Sequence, residues 1–270
     1  MRRAPRLVLI ALATLAALYV ALAALLFVTQ RSFIYPAPRG SGAAPAGIAR
    51  VGYLTADGLT LHAGYRAARG NRPTIVYFHG NGADWQSSVV ATGRLVPAGY
   101  GVLAAEYRGY RGNPGQPSEH GLYHDGRAAI AFLRENGVAP DQIVLVGNSI
   151  GSGVATQMAT EIAPRALVLI SPFTSLSDLV AEKIRWLPTR ILLRDRFENE
   201  SKIAAVTAPV LILHGDADTL IPVSHAHALA SANPSAELAV LRGHGHDLAW
   251  HQVAEERIAR FLGALAADPR

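Results

Sequence analysis

Gln142 to Gly153 reads QIVLVGNSIGSG, and this stretch decides the fold. Ile143 to Val146 is a run of β-branched and aliphatic residues, the composition of a parallel strand buried on both faces. It leads straight into Gly147-Asn148-Ser149-Ile150-Gly151, and a proline-free, helix-compatible run from Val154 to Ile162 follows. Strand, G-x-S-x-G, helix is the setting of a nucleophile elbow. The turn is so tight that the positions two before and two after the serine must be nearly free of side chain. Gly147 and Gly151 meet that demand, and Gly153 would let the new helix lie close to the sheet. The helix N-terminus then turns its free N–H groups and positive dipole end toward Ser149. A G-x-S-x-G alone also describes a plain glycine-rich turn, so the reading depends on partners elsewhere.

A serine hydroxyl needs a base to take its proton, an acid to hold that base and N–H donors for the oxyanion. In this kind of sheet the chain order is serine, acid, histidine, each after the carboxyl end of a strand. Val210 to Leu213 reads as a strand, and the loop after it, HGDADTLIP, offers Asp216 and Asp218. Glu237 to Leu241 reads as another, and the loop after it, GHGHD, offers His244 and His246. Aspartates in turns often serve only nearby backbone N–H groups, so both pairs stay open on spacing alone. The oxyanion donors are expected at the N–H of Ile150, next after the serine, and at Asn81. Asn81 stands in His79-Gly80-Asn81-Gly82, whose glycines let the backbone approach a substrate closely.

Upstream of the elbow, Val51 to Thr55 and Leu59 to Arg66 read as a hairpin turning at Asp57-Gly58. Thr74 to Phe78 and Gly101 to Ala105 read as short buried strands. A helix with N-cap Asp84 is expected to run to about Ala98, and a second helix over Ser118 to Asn136 buries Leu122, Ala129, Ile130 and Leu133, with Gly137 closing it. Beyond the elbow, Ala166 to Ile170 is a strand, Ser224 to Ser231 a short helix and Ala249 to Leu265 a closing helix. Strands and helices alternate from Thr74 onward. The expectation is an α/β fold with a mostly parallel central sheet, helices on both faces and an antiparallel hairpin in front. The interval of about 171–208 is too long for a plain connection. Its helical patches at Leu179 to Ile184 and Thr189 to Leu193 predict a small lid.

Leu7 to Val28 carries no charge and is long enough to cross a bilayer as a helix. Arg2, Arg3 and Arg6 flank it on one side and Arg31 on the other, which puts the N-terminus in the cytoplasm and the rest of the chain across the membrane. A cleaved signal peptide would use the small residues at Ala21 and Ala23. The apolar run continues past them through Leu25-Leu26-Phe27-Val28, which favours a retained anchor. The organisation expected is a short cytoplasmic segment 1–6, an anchor 7–28, a Pro/Gly/Ala-rich juxtamembrane linker 29–49 and a catalytic domain 50–270.

The chain has 270 residues, half of them hydrophobic, ample for one large core. It has no cysteine, which excludes disulfides, thiolate metal sites and a cysteine nucleophile. The net charge of +5 comes almost wholly from scattered arginines, with no aromatic-interleaved basic stripe, so no nucleic-acid partner is expected.

The motifs HGNG, EYRGYRG, GNSIGSG, SPFTSL, HGDADTLIP and GHGHD stand in the order and spacing of the alpha/beta-hydrolase family, which the chain resembles along nearly all of Arg50 to Leu265. The resemblance is to its membrane-anchored branch, which includes eukaryotic protein depalmitoylases and shares an aromatic-proline segment such as Phe33-Ile34-Tyr35-Pro36. It implies Asp218 as the acid and His246 as the base, with His244 a departure at a position that is usually small. It also implies a serine hydrolase of acyl esters or thioesters, needing no metal or organic cofactor. A serine peptidase, an acyltransferase or a silent scaffold on the same fold are the alternatives. In Lys183 to Phe197, KIRWLPTRILLRDRF, apolar residues interleave with basic ones, which suits either a surface resting on anionic lipid and a lipidic acyl substrate, or an apolar set packed on the sheet with its arginines solvated.

Overall fold

The computed structural model describes residues 3–40 and 42–267; Arg2 of the expected cytoplasmic flank lies outside them. A helix, α1 (Arg3–Ile34), precedes the hairpin strands β1 (Ala49–Leu54) and β2 (Thr60–Arg66). Then come β3 (Thr74–Phe78), α2 (Trp85–Val90), β4 (Gly101–Ala104) and α3 (Glu119–Glu135). β5 (Ile143–Asn148) feeds α4 (Gly151–Glu161), and β6 (Ala166–Ile170) follows. Three short helices, α5 (Leu176–Lys183), α6 (Thr189–Leu192) and α7 (Asn199–Ile203), fill the interval expected to hold a lid, here called the cap. β7 (Val210–Gly215), α8 (Ser224–Ala232), β8 (Glu237–Leu241) and α9 (Gln252–Ala267) complete the chain.

The eight strands form one sheet in the order β1-β2-β4-β3-β5-β6-β7-β8. β1 and β2 are antiparallel, β2 meets β4 antiparallel, and every pairing from β4 to β8 is parallel. Three apolar clusters cover the sheet, the smallest packing Trp85 of α2 on Val102 and Ala104 of β4. Of the two larger, one joins the sheet to α3, α4, α7 and α8 through Leu122, Val154, Met158, Ile203 and Leu229; the other joins it to α9 through Ala254, Ile258 and Leu262. β3, β5, β6 and β7 are buried at every position, as strands covered on both faces must be. All strands of the parallel part end on one side, which is where loops can converge on a ligand.

Three boundaries differ from expectation. α2 ends at Val90 and the chain reaches Gly99 through turns, because Gly93 and Pro97 interrupt the run. α9 begins at Gln252, after a 3-10 turn over His246–Trp250 that holds the histidine at the strand end. α1 continues six residues past Val28, into the stretch expected to be linker. The polar residues there do not stop it, since Gln30 and Arg31 find partners on the cap (described below). It ends at Ile34 because Tyr35 precedes Pro36, and the residue before proline disfavours helical dihedrals.

Candidate active site

Ser149 has φ 52°, the left-handed region that non-glycine residues rarely occupy. The elbow around it tolerates no extra atom. A Cβ on Gly147 would lie 2.5 Å from the Gly151 carbonyl oxygen, and one on Gly151 would lie 2.1 Å from that of Phe78. Gly153 acts differently from expectation. A Cβ there would strike the Phe197 ring at 2.3 Å, so this glycine makes room for the cap segment and not for the sheet. The Ser149 N–H donates to the Ile170 carbonyl on β6, 2.9 Å away, which ties the serine to the neighbouring strand.

The loops after β7 and β8 bring one aspartate and one histidine to that serine. His246 Nε2 is 3.1 Å from Ser149 Oγ, and His246 Nδ1 is 2.8 Å from Asp218 Oδ2. With the ring proton on Nδ1, Nδ1–H donates to the carboxylate and Nε2 accepts from the hydroxyl. Asp218 Oδ1 accepts the N–H groups of Leu220 and Ile221, each at 2.9 Å. His214, fully buried, places Nε2 2.9 Å from the Ile221 carbonyl and 3.5 Å from Asp218 Oδ2. Burial alone would raise the Asp218 pKa. The hydrogen bonds from His214, His246 and the Ile221 N–H outweigh it and hold the carboxyl well below the usual carboxylate range. Asp218 therefore stays ionised wherever the protein is folded near neutrality.

The other member of each pair is used elsewhere. Asp216 Oδ1 accepts the Gly243 N–H at 2.6 Å, clamping the two loops together. His244 stacks edge-on against His251 at 4.9 Å, and its carbonyl accepts the Ala217 N–H at 3.0 Å. A Cβ on Gly215 would lie 2.1 Å from that carbonyl, which accounts for the glycine ending β7.

Asn81 and Ile150 both line the pocket beside Ser149, and neither backbone N–H donates to a protein acceptor among the described residues. The Gly80 position approaches the serine closely, with a built Cβ at 3.4 Å from Ser149 Cβ. Sequence reasoning missed what holds this loop. His79 Nε2 lies 2.6 Å from Glu106 Oε1, both side chains buried, and Glu106 also accepts the N–H groups of Trp85 and Tyr107. The Tyr107 hydroxyl returns to the His79 carbonyl at 2.9 Å. A buried carboxylate with this many donors fixes a loop firmly. The signal was the charged Glu106 two residues past the all-buried β4, a position where an acid needs a partner.

The pocket has a volume of about 470 Å³ and an almost wholly apolar lining. Phe173 and Ile221 belong to its floor, and Leu179 and Leu192 come from the cap. The third side was not anticipated: Leu26, Phe27, Gln30, Phe33 and Ile34 of α1 form a wall. Gln30 Nε2 donates to the Leu192 carbonyl at 3.3 Å, and its Oε1 accepts the Arg194 N–H at 2.8 Å. Arg31 makes a two-pronged pair with Asp195 at 2.9 and 3.0 Å, joined by the Tyr35 hydroxyl. The Asn81 side chain donates to the Ile34 carbonyl at 3.1 Å, so the loop beside the serine also touches the helix. Among the described residues no group of His, Asp or Glu is arranged to hold a metal ion.

Comparison with known proteins places the chain. Residues 75–201 match the model of the alpha/beta hydrolase family. An uncharacterized protein of Mycobacterium tuberculosis is 39% identical over 246 residues, spanning 86% of this chain and 87% of its own length. The alpha/beta hydrolase domain-containing protein 17C of Xenopus tropicalis is 34% identical over 202 residues, 73% of this chain and 64% of that one. An esterase of Pyrococcus furiosus superposes with a TM-score of 0.68 at 19% identity, covering 84% of this chain and 97% of its own. A membrane phospholipase A described as a bacterial virulence factor superposes with a TM-score of 0.65 at 18% identity, covering 99% and 100%. Sheet order, elbow and these likenesses agree, and the chain belongs to the alpha/beta hydrolase family.

Proposed function

We propose that this protein is a membrane-anchored serine hydrolase that cleaves acyl ester or thioester bonds, with Ser149 as nucleophile, His246 as general base and Asp218 as the acid that orients it. The observation that carries the reading is the unbroken contact Asp218–His246–Ser149 at 2.8 and 3.1 Å, with the serine opening on an apolar pocket. His246 Nε2 takes the Ser149 proton as Oγ bonds to the acyl carbon. The Asp218 carboxylate balances the imidazolium charge that forms. The N–H groups of Asn81 and Ile150 receive the oxyanion. His246 then gives the proton to the departing alcohol or thiol, and water repeats the cycle on the acyl-enzyme. No step calls for a metal or an organic cofactor. Helix α1 serves as the anchor: its span Arg6–Ile34 has a mean hydropathy of 2.6 in its apolar window, and none of that window is buried against the domain. The arginine flank puts the catalytic domain on the side away from the cytoplasm. Names carried by similar folds, an esterase and a phospholipase, point the same way.

The test is labelling of the full-length, membrane-reconstituted protein by a fluorophosphonate, together with turnover of p-nitrophenyl esters. Ser149→Ala should lose labelling and reduce kcat on the order of a thousandfold or more at unchanged circular dichroism. Labelling that survives in that variant would remove Ser149 from the reading.

A further inference from the structure

The wall contributed by α1 is one face of a helix. Positions 26, 27, 30, 33 and 34 fall at i, i+1, i+4, i+7 and i+8, so they line the pocket along roughly 12 Å of the helix axis. The cap climbs further along the same helix. The Tyr19 hydroxyl donates to the Trp186 carbonyl at 3.1 Å, and the two rings meet edge to face at 6.2 Å. Arg194 sits over the Phe27 ring at 4.2 Å, nearer the domain end of the helix.

These contacts fix a depth. At 1.5 Å per residue Tyr19 lies about 18 Å from Leu7, whereas the hydrocarbon core of a bilayer is about 30 Å thick. If the apolar segment begins at one boundary, Tyr19 is still roughly 12 Å short of the other, and tilt only deepens it. Phe27 reaches that boundary, and Ile34, beside the loop that holds Asn81, stands about 10 Å above it. A cap bound to Tyr19 must therefore enter the hydrocarbon. Its composition fits: Trp186 is 55% exposed and Ile191 79% exposed, an expensive arrangement in water. Lys183, Arg185, Arg190, Arg194 and Arg196 accompany them; the one acid in that stretch, Asp195, is engaged by Arg31, while Arg190 pairs with Asp178 at 2.8 Å and Lys183 donates to the Thr219 carbonyl at 3.0 Å. Long cationic side chains on apolar stems suit the phosphate layer.

We propose that the cap is inserted in the leaflet on the domain's side and that the pocket opens within it, so that the enzyme takes a long-chain acyl ester of a membrane phosphoglyceride directly from the bilayer. This rests on the hydrolase reading above. The acyl tail lies along α1 between helix and cap, from the hydrocarbon boundary at Phe27 up to Ser149, and the ester carbonyl rises to the serine while the basic residues meet the phosphate. Attack by Ser149 releases the lysolipid alcohol, and water then releases the fatty acid, so atoms and charge balance without a co-reactant.

The chain has no cysteine, so single-cysteine variants report one site each. A nitroxide on Ile191→Cys in full-length protein, reconstituted in phosphatidylcholine/phosphatidylglycerol vesicles, should be accessible to oxygen and shielded from a nickel chelate. The same label on Asp141→Cys, at the opposite end of the sheet, should show the reverse. An Ile191 label as open to nickel as Asp141 would overturn the inserted cap. Trp186 does not line the pocket, so Trp186→Ala should lower fatty-acid release from the vesicle phosphoglyceride about tenfold while p-nitrophenyl butyrate turnover stays within about twofold. Equal losses on both substrates would refute entry from the bilayer. Faster cleavage of an S-acyl peptide in the same vesicles would replace the phosphoglyceride by a lipidated protein. Absence of butyrate turnover in the unmutated protein would instead overturn the hydrolase reading, leaving the label depth standing as a separate result.

Discussion

Ser149 is positioned by backbone: a strand before it, a helix after it, glycines whose carbonyl neighbours leave no room for a Cβ, and an N–H fixed on β6. Across the pocket, the wall of α1 and the cap is held by side chains: Gln30 on two cap backbone groups, Arg31 on Asp195, Tyr19 on Trp186. A backbone-built floor has essentially one arrangement, because moving it breaks sheet hydrogen bonds. A wall tied by a few side-chain contacts opens at lower cost than a sheet, since a hydrogen bond such as those of Gln30 contributes about 1 kcal/mol net, with the Arg31 pair on the buried Asp195 its strongest tie. The contrast suits a site whose chemistry needs fixed geometry and whose substrate needs a way in.

Two glycines two residues apart break or sharpen this contrast most strongly. Gly151→Ala drives a Cβ into the Phe78 carbonyl, backbone against backbone, while Gly153→Ala drives one into the Phe197 side chain. The first has nothing that yields. Gly151→Ala should lose the elbow, with activity abolished and a melting transition lowered by an amount matching about 3 kcal/mol or more. Gly153→Ala should cost about 1–3 kcal/mol and keep measurable turnover, because the cap can shift. Thermal melts and p-nitrophenyl butyrate kinetics check both. Equal damage from the two would mean that the cap is as rigid as the sheet.

The same contrast explains what the sequence makes legible. The elbow, the strands Ala166–Ile170 and Glu237–Leu241 and the N-cap Asp84 are properties of short consecutive stretches. Periodicity and turn chemistry report such features directly. The choice between Asp216 and Asp218 is not local. Both stand in one turn, and the direction of each side chain is set by a loop about thirty residues later, where Gly243 takes one and His246 the other. The wall is less legible still. Gln30 and Arg31 resemble a polar stop after an apolar run, and their partners lie more than 160 positions away. The pair His79–Glu106 hides in the same way, since each residue sits in a motif with an explanation of its own.

Next in size is the wall itself. Gln30→Ala removes the hook that ties α1 to the cap and leaves the Leu192 carbonyl and the Arg194 N–H without it. The floor is untouched. KM for long-chain p-nitrophenyl esters should rise about fivefold, with kcat for the acetyl ester changed by less than about twofold. A chain-length series in detergent micelles measures it. A uniform fall in kcat at every length would show that the helix supports the serine and not the acyl tail, and the distinction between floor and wall would fail.

The smallest effect concerns the floor's own spare residues. His244 and Asp216 sit in the two loops that carry His246 and Asp218, so a reading based on proximity in sequence would make them partners in the chemistry. The geometry separates them. The His244 ring stacks on His251, and what the site takes from residue 244 is its carbonyl, which any residue supplies. Asp216 gives one hydrogen bond to the Gly243 N–H, and an asparagine there keeps an acceptor oxygen at the same place. His244→Ala and Asp216→Asn should therefore each retain activity within about threefold, since loss of one neutral or exposed contact contributes at most about 0.5–1 kcal/mol. His246→Ala and Asp218→Asn, one and two bonds from Ser149 Oγ, should fall with Ser149→Ala. Parallel kcat/KM measurements on the four variants, with melts to confirm folding, read the difference. A His244→Ala variant as inactive as His246→Ala would show that the loop after β8 re-registers in the working enzyme, bringing the second imidazole to the serine.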